Sequence, residues 1–232
     1  MSMFITQSVN CPSCNHGFDI EVVESVNADR RPDLRDEIMA GTFQVQTCPE
    51  CDAEFRVDPL FNYLDMANGV WIAAFPLSDL GNWVEKEDEA NRTFAAAYGA
   101  DAPGPAREIG EMLEVRLVFG WAALREKIYL AAEGMDDVTI ELTKLAVMQG
   151  AGGAPVQAGV EFRMRNKTET TLHLSWINAQ SNEAVETLTA PMALPESIEE
   201  AAEDWAPMRA RLTDGPFVDI QKLWIGDGRD AA

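Results

Sequence analysis

Histidine is nearly absent from this 232-residue chain, which has two, His16 and His173. A histidine base needs partners in reach, and the sequence places none beside either. Basic residues are scarce, 18 against 39 acidic ones, and the formal net charge is −21. Every third of the chain is acidic, so no nucleic-acid partner is expected. Long apolar runs are missing as well. The longest, around Leu113 to Leu130, is broken by Glu114, Arg116, Arg125, Glu126 and Lys127. No membrane span is therefore expected. HExxH, GxSxG, a Walker lysine loop and a glycine-rich dinucleotide turn are all lacking. The first residues show no charged, apolar and small-residue zones of a secretory signal, so the expected compartment is the cytoplasm.

Cysteine is equally sparse, but its placement is specific. The four cysteines form two turns, Cys11-Pro12-Ser13-Cys14 and Cys48-Pro49-Glu50-Cys51. Two thiolates on one tight turn bind an ion together, and two such turns supply the four sulfurs of a closed tetrahedral Zn2+ site. Aligning Cys11 on Cys48 also superimposes Pro12 on Pro49, Phe18 on Phe55 and Ile20 on Val57, a pseudo-repeat. Asn15 and Asp52 follow the second cysteines and are types that enter the left-handed region at little cost. Disulfides, a redox thiol pair and four-cysteine iron use the same residues. The cytoplasmic expectation weighs against disulfides, and the duplicated turn against a redox pair. His16, two residues beyond Cys14, reads as a solvated loop residue because four cysteines already complete the set.

The insertion between the turns reads as strand, helix, strand. Pro32 opens the helix, Leu34, Ile38 and Met39 form its apolar stripe, and Gly41 stops it. Asn68-Gly69 between two apolar runs signals a hairpin, so residues 1–76 are expected to form an antiparallel sheet with the metal at one end. Helices are expected from Leu77 to Tyr98, over about 106–133 and from Asp136 to Gly150. Asp136 and Asp137 are read as helix caps, not as metal or catalytic groups. The segment Leu124 to Leu130 is amphipathic, with charge on one side.

The order of these features, with Leu124-Arg125-Glu126-Lys127-Ile128 and Gly134-Met135-Asp136-Asp137, resembles the bacterial CpXC domain family over about residues 8–148. The resemblance implies a zinc-ribbon-like module of uncharacterised role, and it carries over Cys11, Cys14, Cys48 and Cys51 alone. Asn15 and Asp52 stand where glycine or a similar residue is often found.

Residues 151–155, Ala-Gly-Gly-Ala-Pro, read as a linker. The expected organisation is a zinc-ribbon domain with a helical extension over 1–150 and a small α+β domain over 156–232, α+β overall. In the second part, strands are expected around Val160 to Met164, Leu172 to Trp176 and 183–189. A helix from Pro195, kinked or split at Pro207, and a closing strand from Phe217 to Ile225 follow. The six tryptophans are read as core anchors. The favoured function is a zinc-stabilised, non-catalytic binding or adaptor protein that holds a protein partner. An enzyme, a hydrolase among the options, is the alternative; acids or a histidine converging in one concave pocket would mark it. A thiol redox or zinc sensor is the third.

Overall fold

The computed structural model describes residues 2–150, 159–179 and 181–226, so the linker lies outside the described residues. The fold is α+β. Strands β1 (Met3–Asn10), β2 (Gly17–Asn27), β5 (Phe61–Asp65), β6 (Val70–Phe75) and β7 (Glu114–Phe119) form a five-stranded sheet in the order β1-β2-β5-β6-β7. Strands β3 (Val45–Thr47) and β4 (Glu54–Arg56) pair as a separate short ribbon. The large sheet is mixed, which corrects the antiparallel expectation. β1/β2 and β5/β6 are antiparallel, whereas β2/β5 and β6/β7 are parallel. The β6/β7 pair is joined through helices, and that crossover is what a parallel neighbour requires.

Every residue of β6 is buried, as expected for a strand covered on both faces. Alternation sorts its side chains into two cores. Val70, Ile72 and Ala74 meet Leu34 and Ile38 of α1 (Pro32–Ala40) and Trp121, Leu124 and Ile128 of α4 (Gly120–Ala132). Trp71, Ala73 and Phe75 meet Trp83, Ala90 and Phe94 of α2 (Trp83–Tyr98), with the Trp71 and Phe94 rings 5.4 Å apart. The sheet therefore lies between α1 and α4 on one side and α2 on the other.

The helix expected over 106–133 is in fact α3 (Gly104–Gly110), β7 and α4. Val115, Leu117 and Phe119 alternate within what reads as a continuous mixed stretch, and the open edge of β6 draws them into the sheet. Gly120, at φ 80°, turns the chain from β7 into α4.

Past the linker, β8 (Val160–Lys167), β9 (Thr171–Asn178) and β10 (Ala184–Pro191) form an antiparallel sheet in the order β10-β9-β8. Its apolar face, with Phe162, Leu174 and Trp176, packs on Leu130 of α4 and on Ile140 and Met148 of α5 (Asp137–Gly150). The helix after Pro195 does divide, but at Ala201 and not at Pro207. Helices α6 (Ala193–Glu200) and α7 (Ala202–Leu212) bring Ile198 and Leu212 onto Val138 and Leu142 of α5, and this packing sets the break. Pro207 is accommodated inside α7.

The closing strand is not formed. The amides of Phe217 and Ile220 donate to the Glu87 and Glu141 carboxylates, so no ladder is available to them, and the chain ends in the short helix α8 (Lys222–Ile225). Trp71, Trp83, Trp121 and Trp176 are buried as expected, whereas Trp224 is exposed.

The charged side of α4 faces inward, the clearest departure from the sequence reading. Glu126 and Lys127 are 2% and 3% exposed. They belong to a buried chain of ion pairs running from Arg116 through Asp137, Lys127, Glu141, Lys144 and Glu126 to Arg163, which also holds Glu161 and Asp219. Backbone amides complete the carboxylates: Met164 donates to Glu126 at 2.6 Å, Ile220 to Glu141 at 2.9 Å and Gln221 to Asp219 at 2.9 Å. Asp137 is thus a network member and not a cap. Asp136 does cap α5, accepting from the amides of Val138 and Thr139.

Three outcomes follow from this arrangement. Arg163→Met leaves Glu126, Glu161 and Asp219 without their shared cation, and urea denaturation is expected to show a loss of about 3–5 kcal/mol. Asp136→Ala removes a cap and is expected to cost about 1 kcal/mol in the same measurement. Burial alone would raise the Asp137 pKa, but Lys127 and Arg116 override it and hold the carboxyl well below the usual range. Such a group adds stability above its unfolded value of about 3.9, and that stability is lost as the pH falls below it. Asp137→Asn should therefore be less stable than the wild type at neutral pH, with a gap that narrows progressively as the pH falls below about 4 towards the much lower folded value. A gap that stays constant across the pH series would contradict the ion pair.

Candidate metal centre

Each CPxC turn joins two strands, Cys11–Asn15 between β1 and β2 and Cys48–Asp52 between β3 and β4. The two turns repeat bond for bond. Asn15 N donates to Cys11 O at 2.9 Å and Cys11 N to His16 O at 2.9 Å; Asp52 N donates to Cys48 O at 3.0 Å and Cys48 N to Ala53 O at 3.0 Å. Asn15 and Asp52 sit at φ 59° and 55°, the left-handed conformation the sequence reading assigned to them. Side-chain amide or carboxylate types tolerate that region, so glycine is not required here. Phe18 and Phe55, equivalent in the pseudo-repeat, meet edge to face at 6.2 Å and join the two halves.

The turns bring all four sulfurs to within 4.8 Å of one another, an arrangement able to hold a metal ion. Cys11 Sγ lies 3.7 Å from Cys51 Sγ, and Cys14 Sγ lies 3.6 Å from Cys48 Sγ. These separations are far above the S–S bond of about 2.05 Å, and all four cysteines are free thiols. Cys11 and Cys48 are buried while Cys14 and Cys51 are exposed. Burial works against ionisation of Cys11, but the amides of Cys14 and Ser13 and the neighbouring thiols donate to it and bring its pKa down to about 6. The amide of Ala53 assists Cys51, yet its position among Cys14, Cys48 and Cys11 pushes it up to about 12. One thiolate forms readily and the last is opposed by its neighbours, a conflict that a cation among the four relieves.

The ribbon is seated on the body of the protein by Trp121. Its indole N–H donates to Val57 O at 3.0 Å, its ring meets Phe43 and Phe61, and the Arg56 guanidinium lies 3.6 Å over it. His16 is exposed, stacks on Phe18 and stands outside the sulfur cluster. His173 is half-buried on β9, opposite Thr189.

Sequence reasoning missed the ion-pair chain. Its signal was present as charges set among apolar residues at Glu126-Lys127 and at Glu141 and Lys144, three apart on one helix, yet their partners lie on β7, β8 and the C-terminal segment. Among the described residues no helix is long and apolar enough to cross a membrane.

A family model described as CpXC protein matches residues 9–144. Over 144 residues the chain is 25% identical to an uncharacterised protein of Treponema pallidum (strain Nichols), covering 60% of this chain and 62% of that protein. The match thus spans less than two thirds of the relative's length. No solved structure matches the chain. The family match takes in both cysteine turns, four of the five strands of the large sheet and the first half of α5, more than half of the sequence, and the protein belongs to the CpXC family.

Proposed function

We propose that the four cysteines hold one zinc ion as a closed structural site in a non-catalytic binding or adaptor protein. The observation that carries this reading is the clustering of the four sulfurs within 4.8 Å of one another. Metal–sulfur bonds of about 2.3 Å in a regular tetrahedron give sulfur–sulfur edges of about 3.8 Å. The Cys11–Cys51 and Cys14–Cys48 separations of 3.7 and 3.6 Å match that edge. Four thiolates fill the coordination sphere and leave no position for water or substrate, which suits a structural site.

A surface suited to a protein partner lies on β1, the strand that leads into the first cysteine turn. β1 lies at the edge of the large sheet and carries exposed Met3, Phe4 and Ile5. Among the described residues no strand pairs with its outer side. An exposed edge offers unpaired backbone groups to an added strand, and apolar side chains beside it strengthen such a contact.

The enzyme reading has one observation in its favour, a cavity of about 280 Å³ that brings Glu114, Asp136 and Asp137 together with Arg116 and Lys127. Each acid is already engaged. Asp137 pairs with Arg116 and Lys127, Glu114 pairs with Arg116, and Asp136 caps α5. A carboxyl held far below its usual range is a weak base and a poor proton donor near neutral pH, so the binding reading stands ahead.

Elemental analysis of protein purified without added metal is expected to find about one zinc per chain, with four thiols that react fully only on unfolding. Cys48→Ser is expected to lose the metal and at least about 3 kcal/mol, a fall in Tm of roughly 6–12 °C at this chain length. Metal-free protein with four reactive thiols would overturn the zinc reading and bring thiol redox chemistry forward.

A further inference from the structure

Basic side chains in so acidic a protein ordinarily find carboxylates. Several arginines here do not, and three of them, Arg56, Arg125 and Arg165, are neighbours in space. Arg56 donates Nε to Phe43 O and stacks on Trp121, and its buried Nη2 has no hydrogen-bond partner. Arg125 of α4 donates Nη2 to Asn182 Oδ1 at 2.9 Å. Its Nη1 and that of Arg56 converge on Gly41, at 3.4 and 3.9 Å from the point where a Cβ on that glycine would stand. Near the end of α1, a recess of about 80 Å³ is lined by Met39, Arg125, Tyr129, Arg163, Met164 and Arg165. Glu126 also borders this recess, but Lys144, Arg163 and the Met164 amide occupy its oxygens.

We propose that this groove, between the end of α1, α4 and β8, is an oxyanion site in which Arg125 is the central contact and Arg56 and Arg165 flank it. The electrostatics support the geometry. Burial and the charge of Arg125 push Arg56 down to about 10, and burial and the charge of Arg165 lower Arg125. Like charges held together in partial burial are unfavourable alone and become favourable around an anion. The guanidinium fork suits phosphate or carboxylate oxygens. The recess has room for about two or three waters, which matches one such group and is well short of the roughly 300 Å³ of a site for a whole drug-sized ligand. This site is independent of the metal reading. The competing role for the arginines is structural, as cations offsetting the negative C-terminal end of α1.

The test titrates metal-loaded, full-length protein with inorganic phosphate, and separately with acetate, at constant ionic strength, following Tm and heat of binding. A saturable rise in Tm is expected, since an anion bound only by the folded state stabilises it. Arg125→Gln should weaken binding by about tenfold or more, as the loss of a charge-assisted hydrogen bond implies. Without anion this variant should be no less stable than the wild type, because it relieves repulsion. Arg165→Gln, at an exposed position, should weaken binding without loss of stability. A response to phosphate alone identifies a phosphoryl group as the ligand, and a response to acetate a carboxylate. No saturable response to either anion would overturn the proposal. So would an Arg125→Gln variant that is destabilised while its anion response is unchanged, the result a structural role requires.

Discussion

A charge removed from water must be paired where it lies, and that constraint organises the body of this protein. Glu126, Glu141 and Lys144 are completely or almost completely buried; Glu141 and Lys144 pair with each other on α5, and the rest of their partners come from other elements. The ion-pair chain draws on β7, α4, α5, β8 and the segment before α8. Replacing such a network by apolar residues of similar volume is often neutral, but breaking it at one point is costly. Its consequence here is positional. The second sheet and the C-terminal segment dock on α4 and α5 where the carboxylates and cations match, and a shifted register would strand a charge in the interior.

The metal ribbon depends on a different device. Its two knuckles are local structures, each built from five residues and closed by its own backbone hydrogen bonds. Coordination by four sulfurs would fix the knuckles to each other, whereas Trp121 fixes the ribbon to α4. The ribbon thus carries half of the sulfur cluster at one end and makes an aromatic and cation–π contact with the main core at the other. Arg56 takes part in that contact and also faces Gly41, so the seat of the ribbon borders the arginine groove.

Elements with a local signal were legible from the chain. α1 is bounded by Pro32 and by Gly41, which sits at φ 82°, and the β5/β6 hairpin by Gly69 at φ 67°. β7 was not legible. Its alternation of Val115, Leu117 and Phe119 is short, includes Arg116, and adjoins a strong helix, so only the vacant edge of β6 marks it as a strand. The segment from Phe217 reads as a strand by composition, yet side-chain carboxylates from α2 and α5 take its amides. Likewise the break between α6 and α7 follows their packing on α5 and not the proline.

The four-cysteine cluster was legible because its information is local and repeated: two CPxC turns, each followed by a residue that accepts a left-handed backbone. The sequence by itself determined the α+β class, the knuckles, and the family to which they belong. Tertiary structure alone decided the mixed sheet, the inward turn of the charged side of α4, and the gathering of Arg56, Arg125 and Arg165. Periodicity along a helix separates charged faces from apolar ones, but it cannot say which charged face meets partners and which meets water. That distinction rests on groups tens of residues away, and only folding brings them together.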